Sequence, residues 1–296
     1  MIFINSSVFV PSHITGFFEI IHHSNPLKKG SKGAGLVLDK GVLTSISATD
    51  GSGNIKVVIN GESDSKLASI TCKTIELIKE YTPLDKTDLV VEHEFLIPVG
   101  TGFGISAACA LGTSLGLTRA LNLPFTFNHA ASIAHHAEIE MKSGLGDVIA
   151  EVTGGLVIRI KEGAPGLGIT DRLIINKPYD EYYILSKTLG ELETSEVIGD
   201  PRLRRKINQS GHKLFNKLLL KPDIRNFLEL SRRFAEETML MNPEIKELVD
   251  IWGEETLGAS MAMLGNTAFA VSKTPDTSVE DVIVSKIDNS GCRFVQ

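Results

Sequence analysis

The run Pro98-Val-Gly-Thr-Gly-Phe-Gly-Ile-Ser-Ala-Ala-Cys-Ala-Leu-Gly112 constrains this chain more than any other stretch. It closes an apolar β-pattern, places glycines at 100, 102 and 104, and then opens an apolar helix. Glycines let the backbone approach a ligand, and the free amides and positive dipole end of the helix attract an anion. The expected ligand is a nucleotide phosphate. Neither of two familiar phosphate motifs fits. A P-loop needs a lysine beside the serine, and a dinucleotide fingerprint needs its third glycine one residue later. The same residues also read as an ordinary glycine turn before a core helix.

Two further segments carry chemistry. His135 and Glu138 stand three apart on a helix expected over 127–142, so both project from one face. A carboxylate there, paired with the Ser106 hydroxyl, suits Mg²⁺, which takes oxygen ligands from one or two protein groups and from phosphates. An exposed glutamate and a core histidine would give the same pattern. His135-x-x-Glu138 is not the zinc-protease spacing. In Ser143-Gly-Leu-Gly-Asp147, the aspartate stands at a glycine-framed turn, where it is either a reactive carboxylate or the N-cap of a helix starting at Val148.

Pro98, Gly100, Gly102, Gly104, Ser106 and Ala107 together resemble the phosphate loop of the GHMP small-molecule kinases. In that superfamily a Ser-Gly-x-x-Asp segment follows the magnesium glutamate. The resemblance therefore implies Asp147 as the base for the accepting hydroxyl and Ser106 with Glu138 as magnesium ligands, Glu140 being the weaker alternative. The opening Phe9-Val-Pro-Ser-His-Ile-Thr-Gly-Phe-Phe-Glu19, the Lys29–Gly35 glycine-rich stretch and Gly258–Phe269 are similar to the archaeal pantoate kinase family. That resemblance spans essentially the whole chain. It implies ATP-dependent phosphorylation of pantoate to 4-phosphopantoate on the route to coenzyme A, with ATP and Mg²⁺ as cofactors. Two departures are visible: Gly258–Phe269 lacks a dense glycine cluster, and Pro11–Thr15 lacks the lysine of many mevalonate-type kinases. A sister kinase acting on homoserine, shikimate or mevalonate, or a non-catalytic sensor on the same fold, would share the phosphate loop.

Pantoate carries a carboxylate, so its site needs a cation. Arg159 interrupts the apolar strand Leu156–Ile160 and could grip a carboxylate through two parallel hydrogen bonds. An edge-strand arginine reaching solvent is the alternative. Ser31 and His135, with Thr194 as a further candidate, could bind the acceptor's hydroxyls or carboxylate.

The implied fold is α+β: an N-terminal domain like ribosomal protein S5 domain 2 over 1–175 and a ferredoxin-like domain over 176–296, with the site between them. Local signals predict a hairpin turning at Asp39–Gly41, strands at 54–60, 89–97 and 156–160, and helices at 64–80, 200–220 and 223–241. The charge run Arg202–Lys206 reads as a solvated helix face, and Trp252, Phe125 and Phe127 as core packing. A net charge of −6 without a basic stripe argues against a nucleic-acid partner. No run of 18 apolar residues and no basic segment ahead of the apolar start point to a cytoplasmic protein away from membranes. Three scattered cysteines read as reduced thiols. The oligomeric state stays open, a homodimer included.

Overall fold

The computed structural model describes residues 4–62, 65–98, 102–175, 181–190 and 201–295. Two long strands dominate it. β1 (Ile4–Ile21) and β2 (Gly30–Asp50) run antiparallel over nearly their whole length, joined through a short 3₁₀ turn at Pro26–Lys28. β2 then serves two neighbours in succession. Residues 33–36 pair with β5 (Leu156–Lys161), and residues 42–50 pair with β4 (Thr87–Phe95). β3 (Ile55–Ile59) lies parallel to β4, β6 (Ile169–Leu173) flanks β5, and β11 (Arg293–Val295) pairs with the outer side of β1.

The expected hairpin at Asp39–Gly41 is absent. β2 continues through these residues, and the turn signals produce a bulge instead. Pro11 faces Gly41 while His13 faces Val37, so two steps on β1 span four on β2. Ser12 closes the bulge by donating its hydroxyl to the Lys40 carbonyl at 2.6 Å. Turn residues mark a place where a ladder can break, but an uninterrupted partner strand keeps the chain extended on both sides of it.

Helices α1 (Ser65–Lys79) and α2 (Ile105–Ala120) pack on this sheet, α3 (Phe127–Met141) packs on α1 and α2, and the short α4 (Asp147–Thr153) leads into β5. α2 is apolar on nearly every side, as a helix surrounded by protein must be. Gly112 and Gly116 set it directly on β2: a Cβ at either would fall 2.2 Å from Thr44 Oγ1 or 2.7 Å from Ile46 Cγ1. α3 ends at Lys142, which takes the left-handed cap conformation (φ 56°) more often held by glycine.

The second sheet is antiparallel in the order β10-β7-β9-β8, formed by β7 (Tyr183–Gly190), β8 (Gly258–Met261), β9 (Asn266–Ser272) and β10 (Ile283–Lys286). Between β7 and β8 come α5 (Pro201–Leu220), α6 (Ile224–Thr238) and α7 (Pro243–Glu255). α5 and α6 reach across to β1, where Phe17 and Phe18 meet Phe227 and Phe234 ring to ring. The two halves therefore share one continuous apolar core. Trp252 is fully buried and donates to Thr277. Arg202–Lys206 lies along the mostly exposed first turns of α5. The three cysteines are free, and no helix among the described residues is long and apolar enough to cross a membrane.

Candidate functional site

The glycine loop ends in an open helix start. Gly102 and Gly104 have φ of 88° and 71°, values that favour glycine. Gly104 is the N-cap of α2, and no side chain caps the helix. Its first-turn amides thus remain for a ligand or water. Gly102 is pressed against the β8–β9 turn: a Cβ there would lie 3.0 Å from Gly265 Cα and 3.1 Å from Ala262 Cβ. The Gly258–Phe269 block thus supports the loop from behind. Ala107 is fully buried, so any contact it makes with a ligand is through its backbone. Pro98 is exposed just before the loop, and Gly100 lies outside the described residues.

Helix α3 delivers Glu138 to the loop, 2% exposed. Its Oε1 accepts a hydrogen bond from Ser143 at 2.6 Å, and the Ser106 hydroxyl also bonds the carboxylate. Burial, reinforced by the charge of Asp147, pushes its pKa up to about 7 against the pull of the two hydroxyls. Such a carboxylate is short of compensating charge. A magnesium ion fits this donor set, one carboxylate and one hydroxyl with room for phosphate oxygens. Glu140 points elsewhere, to Lys73 at 2.7 Å and His136 at 3.0 Å.

Asp147 does not cap α4. Gly146 holds that position without a side-chain bond, and Asp147 is the first helical residue. Its Oδ1 lies 2.8 Å from Nδ1 of His13, whose Nε2 lies 3.3 Å from an Arg159 guanidinium nitrogen. Arginine can only donate, so His13 Nε2 accepts, the imidazole proton sits on Nδ1, and Asp147 accepts it. Burial alone would raise the Asp147 pKa, but the His13 bond and the charge of Arg159 hold it below the usual carboxylate range. Arg159 is not a surface residue. It is 1% exposed, and its Nε has no protein partner.

Segment 143–147 threads between these groups on two glycines. A Cβ at Gly144 would fall 2.0 Å from Glu138 Oε2 and 3.1 Å from Asp147 Oδ2; one at Gly146 would fall 2.3 Å from Ser31 Oγ and 2.8 Å from Arg159 Nε. The loop side and the Arg159 side of the site therefore meet across three residues. His135 is tied to the segment just before Ser31, its Nε2 donating to the Lys29 carbonyl at 2.9 Å. Burial lowers its pKa to about 4, and the neutral ring holds the 26–29 turn that leads to Ser31. Thr194 lies outside the described residues.

Two residues escaped the sequence reading. His13 could have been noticed as half of a polar pair, Ser12-His13, between the apolar residues Val8–Val10 and Ile14. Glu151 carried no signal: it is fully buried on α4, neither carboxylate oxygen has a partner, and a Cβ at Gly104 would lie 2.6 Å from Oε1. Burial, with the charges of Asp147 and Glu138, raises its pKa well above the carboxylate range.

An open helix start facing one carboxylate, with a second carboxylate beside a buried arginine, is the layout of a small-molecule kinase on the GHMP fold, and residues 69–155 match the family model for the GHMP kinases N-terminal domain. Full-length similarity is narrower. The chain is 38% identical to a pantoate kinase of Methanocaldococcus jannaschii over 268 residues, covering 90% of this chain and 92% of that protein. It is 37% identical to a pantoate kinase of Thermococcus kodakarensis over 284 residues, 95% of this chain and 92% of that one. A solved structure described as a phosphotransferase related to the CoA biosynthesis pathway superposes with a TM-score of 0.85 at 33% identity, covering 98% of each chain. The chain belongs to the pantoate kinase family.

Proposed function

We infer that this protein transfers the terminal phosphoryl group of ATP to the primary hydroxyl of pantoate, giving 4-phosphopantoate and ADP for coenzyme A synthesis. The observation that carries the reading is the junction at Gly144–Asp147, which puts Glu138 and Asp147 on one side and Ser31 and Arg159 on the other. Nucleotide phosphates would lie against the amides of the 102–107 turn, with Pro98 and Gly100 completing the loop. Ser106 and Glu138 would hold Mg²⁺, which when bound neutralises phosphate charge. Arg159 would take the pantoate carboxylate, with Ser31, His135 and Thr194 as further acceptor-side residues. We place the division between the nucleotide-binding and C-terminal halves at residue 175.

Asp147 has one carboxylate oxygen engaged by His13 and the other near Gly144. The free oxygen is suited to accept the hydrogen bond of the pantoate hydroxyl. As the new O–P bond forms and the bond to the ADP oxygen breaks, the hydroxyl proton passes to this carboxylate. Phosphoryl transfer asks mainly for positioning and charge stabilisation, which a fixed carboxylate and an oriented helix start supply.

The test is ADP release with ATP and Mg²⁺ over a panel of pantoate, homoserine, shikimate and mevalonate. Turnover is expected with pantoate. Preference for another acceptor would retain the phosphate machinery and overturn the acceptor assignment, and no turnover with any would point to a binding protein.

A further inference from the structure

We propose that His13 is a positioning residue for phosphoryl transfer: it holds the Asp147 carboxylate in one orientation and is itself locked by Arg159. The proposal rests on the reading of Asp147 as the group that meets the acceptor hydroxyl.

Three independent features fix the ring. Its Nε2 faces a donor that can never accept, so the tautomer is set by Arg159, and Nδ1–H is directed at Asp147 Oδ1 at 2.8 Å. Its Nε2–Cε1 edge is confined, because the Cβ position of Gly35 lies 2.2 Å from Nε2 and 2.9 Å from Cε1, so only a glycine leaves the ring its place. Its backbone N–H donates to the Phe103 carbonyl at 2.9 Å, tying the residue to the glycine loop. The β2 bulge sits directly beside it, between Pro11 and His13. His13 is 0% exposed and reaches solvent through none of these contacts.

The arrangement has a functional consequence. With Oδ1 occupied, Asp147 offers its other oxygen to the acceptor and cannot rotate without breaking the His13 bond. A histidine that merely filled space would need neither the Nδ1 proton nor the arginine behind it.

Three substitutions separate these roles. His13→Asn keeps a side-chain N–H near the Nδ1 position, His13→Gln moves the amide toward the Nε2 position, and His13→Leu keeps bulk alone. His13→Asn should retain kcat within roughly 10-fold of the parent, while His13→Gln and His13→Leu should lose roughly 10²-fold, the scale of a misplaced reacting group. KM for ATP should change little in all three. Equal losses in the asparagine and glutamine variants, or parental kcat in the leucine variant, would overturn the proposal. If the leucine variant does not fold, the other pair decides. Histidine ¹⁵N NMR of the unliganded protein needs no substrate, so it is read separately from the pantoate assignment. It should show His13 neutral and protonated on Nδ1; an Nε2–H tautomer would overturn the proposal even if pantoate turns over.

Discussion

Asp147 takes its hydrogen bond from His13, 134 positions earlier in the chain, and that contact joins the first residue of α4 to the middle of β1. It also decides the charge state of the site. Burial would otherwise favour a protonated carboxyl, but the donor and the nearby guanidinium keep Asp147 ionised at neutral pH. An ionised, immobile carboxylate is a weak base but a good orienting group.

Asp147→Asn is therefore expected to fold, to bind ATP almost normally and to lose roughly 10²- to 10⁴-fold in turnover, since an amide cannot take the proton. The capping explanation predicts no loss, and Gly146 already occupies the cap. Single-turnover rates with ATP-binding titrations check this. Near-parental turnover would remove Asp147 from the chemistry.

Glu138→Gln should shift the magnesium titration of activity to higher concentration and lower the maximal rate. Its melting temperature should hold at neutral pH, because the substitution removes a buried charge that is already poorly compensated. Glu140→Gln should leave the titration in place, since that side chain is occupied by Lys73 and His136 on the outer face of α3. A shift in the Glu140 variant alone would move the metal ligand there.

Much of this site was legible because its chemistry is local. The glycine loop, Ser106, and the Glu138 and Asp147 segments each announce themselves within about a dozen residues, through glycine punctuation and helical spacing. Partnerships across the fold were not legible. That His13 reaches Asp147 depends on a bulge in β2 whose residues, Asp39 to Gly41, carry the local signature of a turn. The burial of Arg159 depends on β6 covering a strand that could equally have been an edge. Gly144 follows the end of α3 as a capping glycine would, yet Lys142 caps the helix and Gly144 is small because two carboxylates crowd it.

Two buried histidines each carry an acid-sensitive contribution to stability. His93 bonds Thr44 and Thr71 at 2.9 Å each, and burial lowers its pKa to about 4, as it does for His135. At these two positions the unfolded chain, with ordinary histidine values, binds more protons than the folded one between about pH 6.5 and 4, so their contribution to stability falls as pH drops through that window. By pH 5 each histidine should cost about 2 kcal/mol. Because the raised carboxyls Glu138 and Glu151 shift stability the other way, the readout is the difference in unfolding free energy between the parent and His93→Gln, which should move by about 2 kcal/mol against the parent from pH 7 to pH 5. An unchanged difference would mean that His93 is charged or exposed in the folded protein.

A buried acid beneath the phosphate loop has the opposite pH signature. Glu151 is held neutral by burial, so its folded pKa lies above the unfolded value, and its contribution is lost as pH rises from about 4.5 toward that folded value. Glu151→Gln should gain stability relative to the parent as pH is raised from 5 to 8, with the Michaelis constant for ATP little changed. Thermal melts of both proteins across that range check it, and a constant difference would show that Glu151 is ionised in the folded state.

Acceptor choice is tested at Arg159, whose Nε is buried without a protein partner and faces the Cβ position of Gly146. Burial lowers the guanidinium pKa to about 10, so it remains charged at neutral pH and needs an anion. If that anion is the pantoate carboxylate, Arg159→Ala should cost roughly 2 to 5 kcal/mol of pantoate binding, or about 30- to several-thousand-fold in affinity. The Michaelis constant for ATP should change far less, and the preference for pantoate over its carboxylate-free alcohol analogue should vanish. Arg159→Lys should rescue only part, because a point charge cannot reproduce the planar fork. Gly146→Ala is the second arm: the added methyl would push on Ser31 and Arg159, raising the pantoate Michaelis constant with the arginine still present. If both variants keep parental pantoate kinetics, the carboxylate partner lies elsewhere, with Lys32, 4.0 Å from Glu162, the next cation to test.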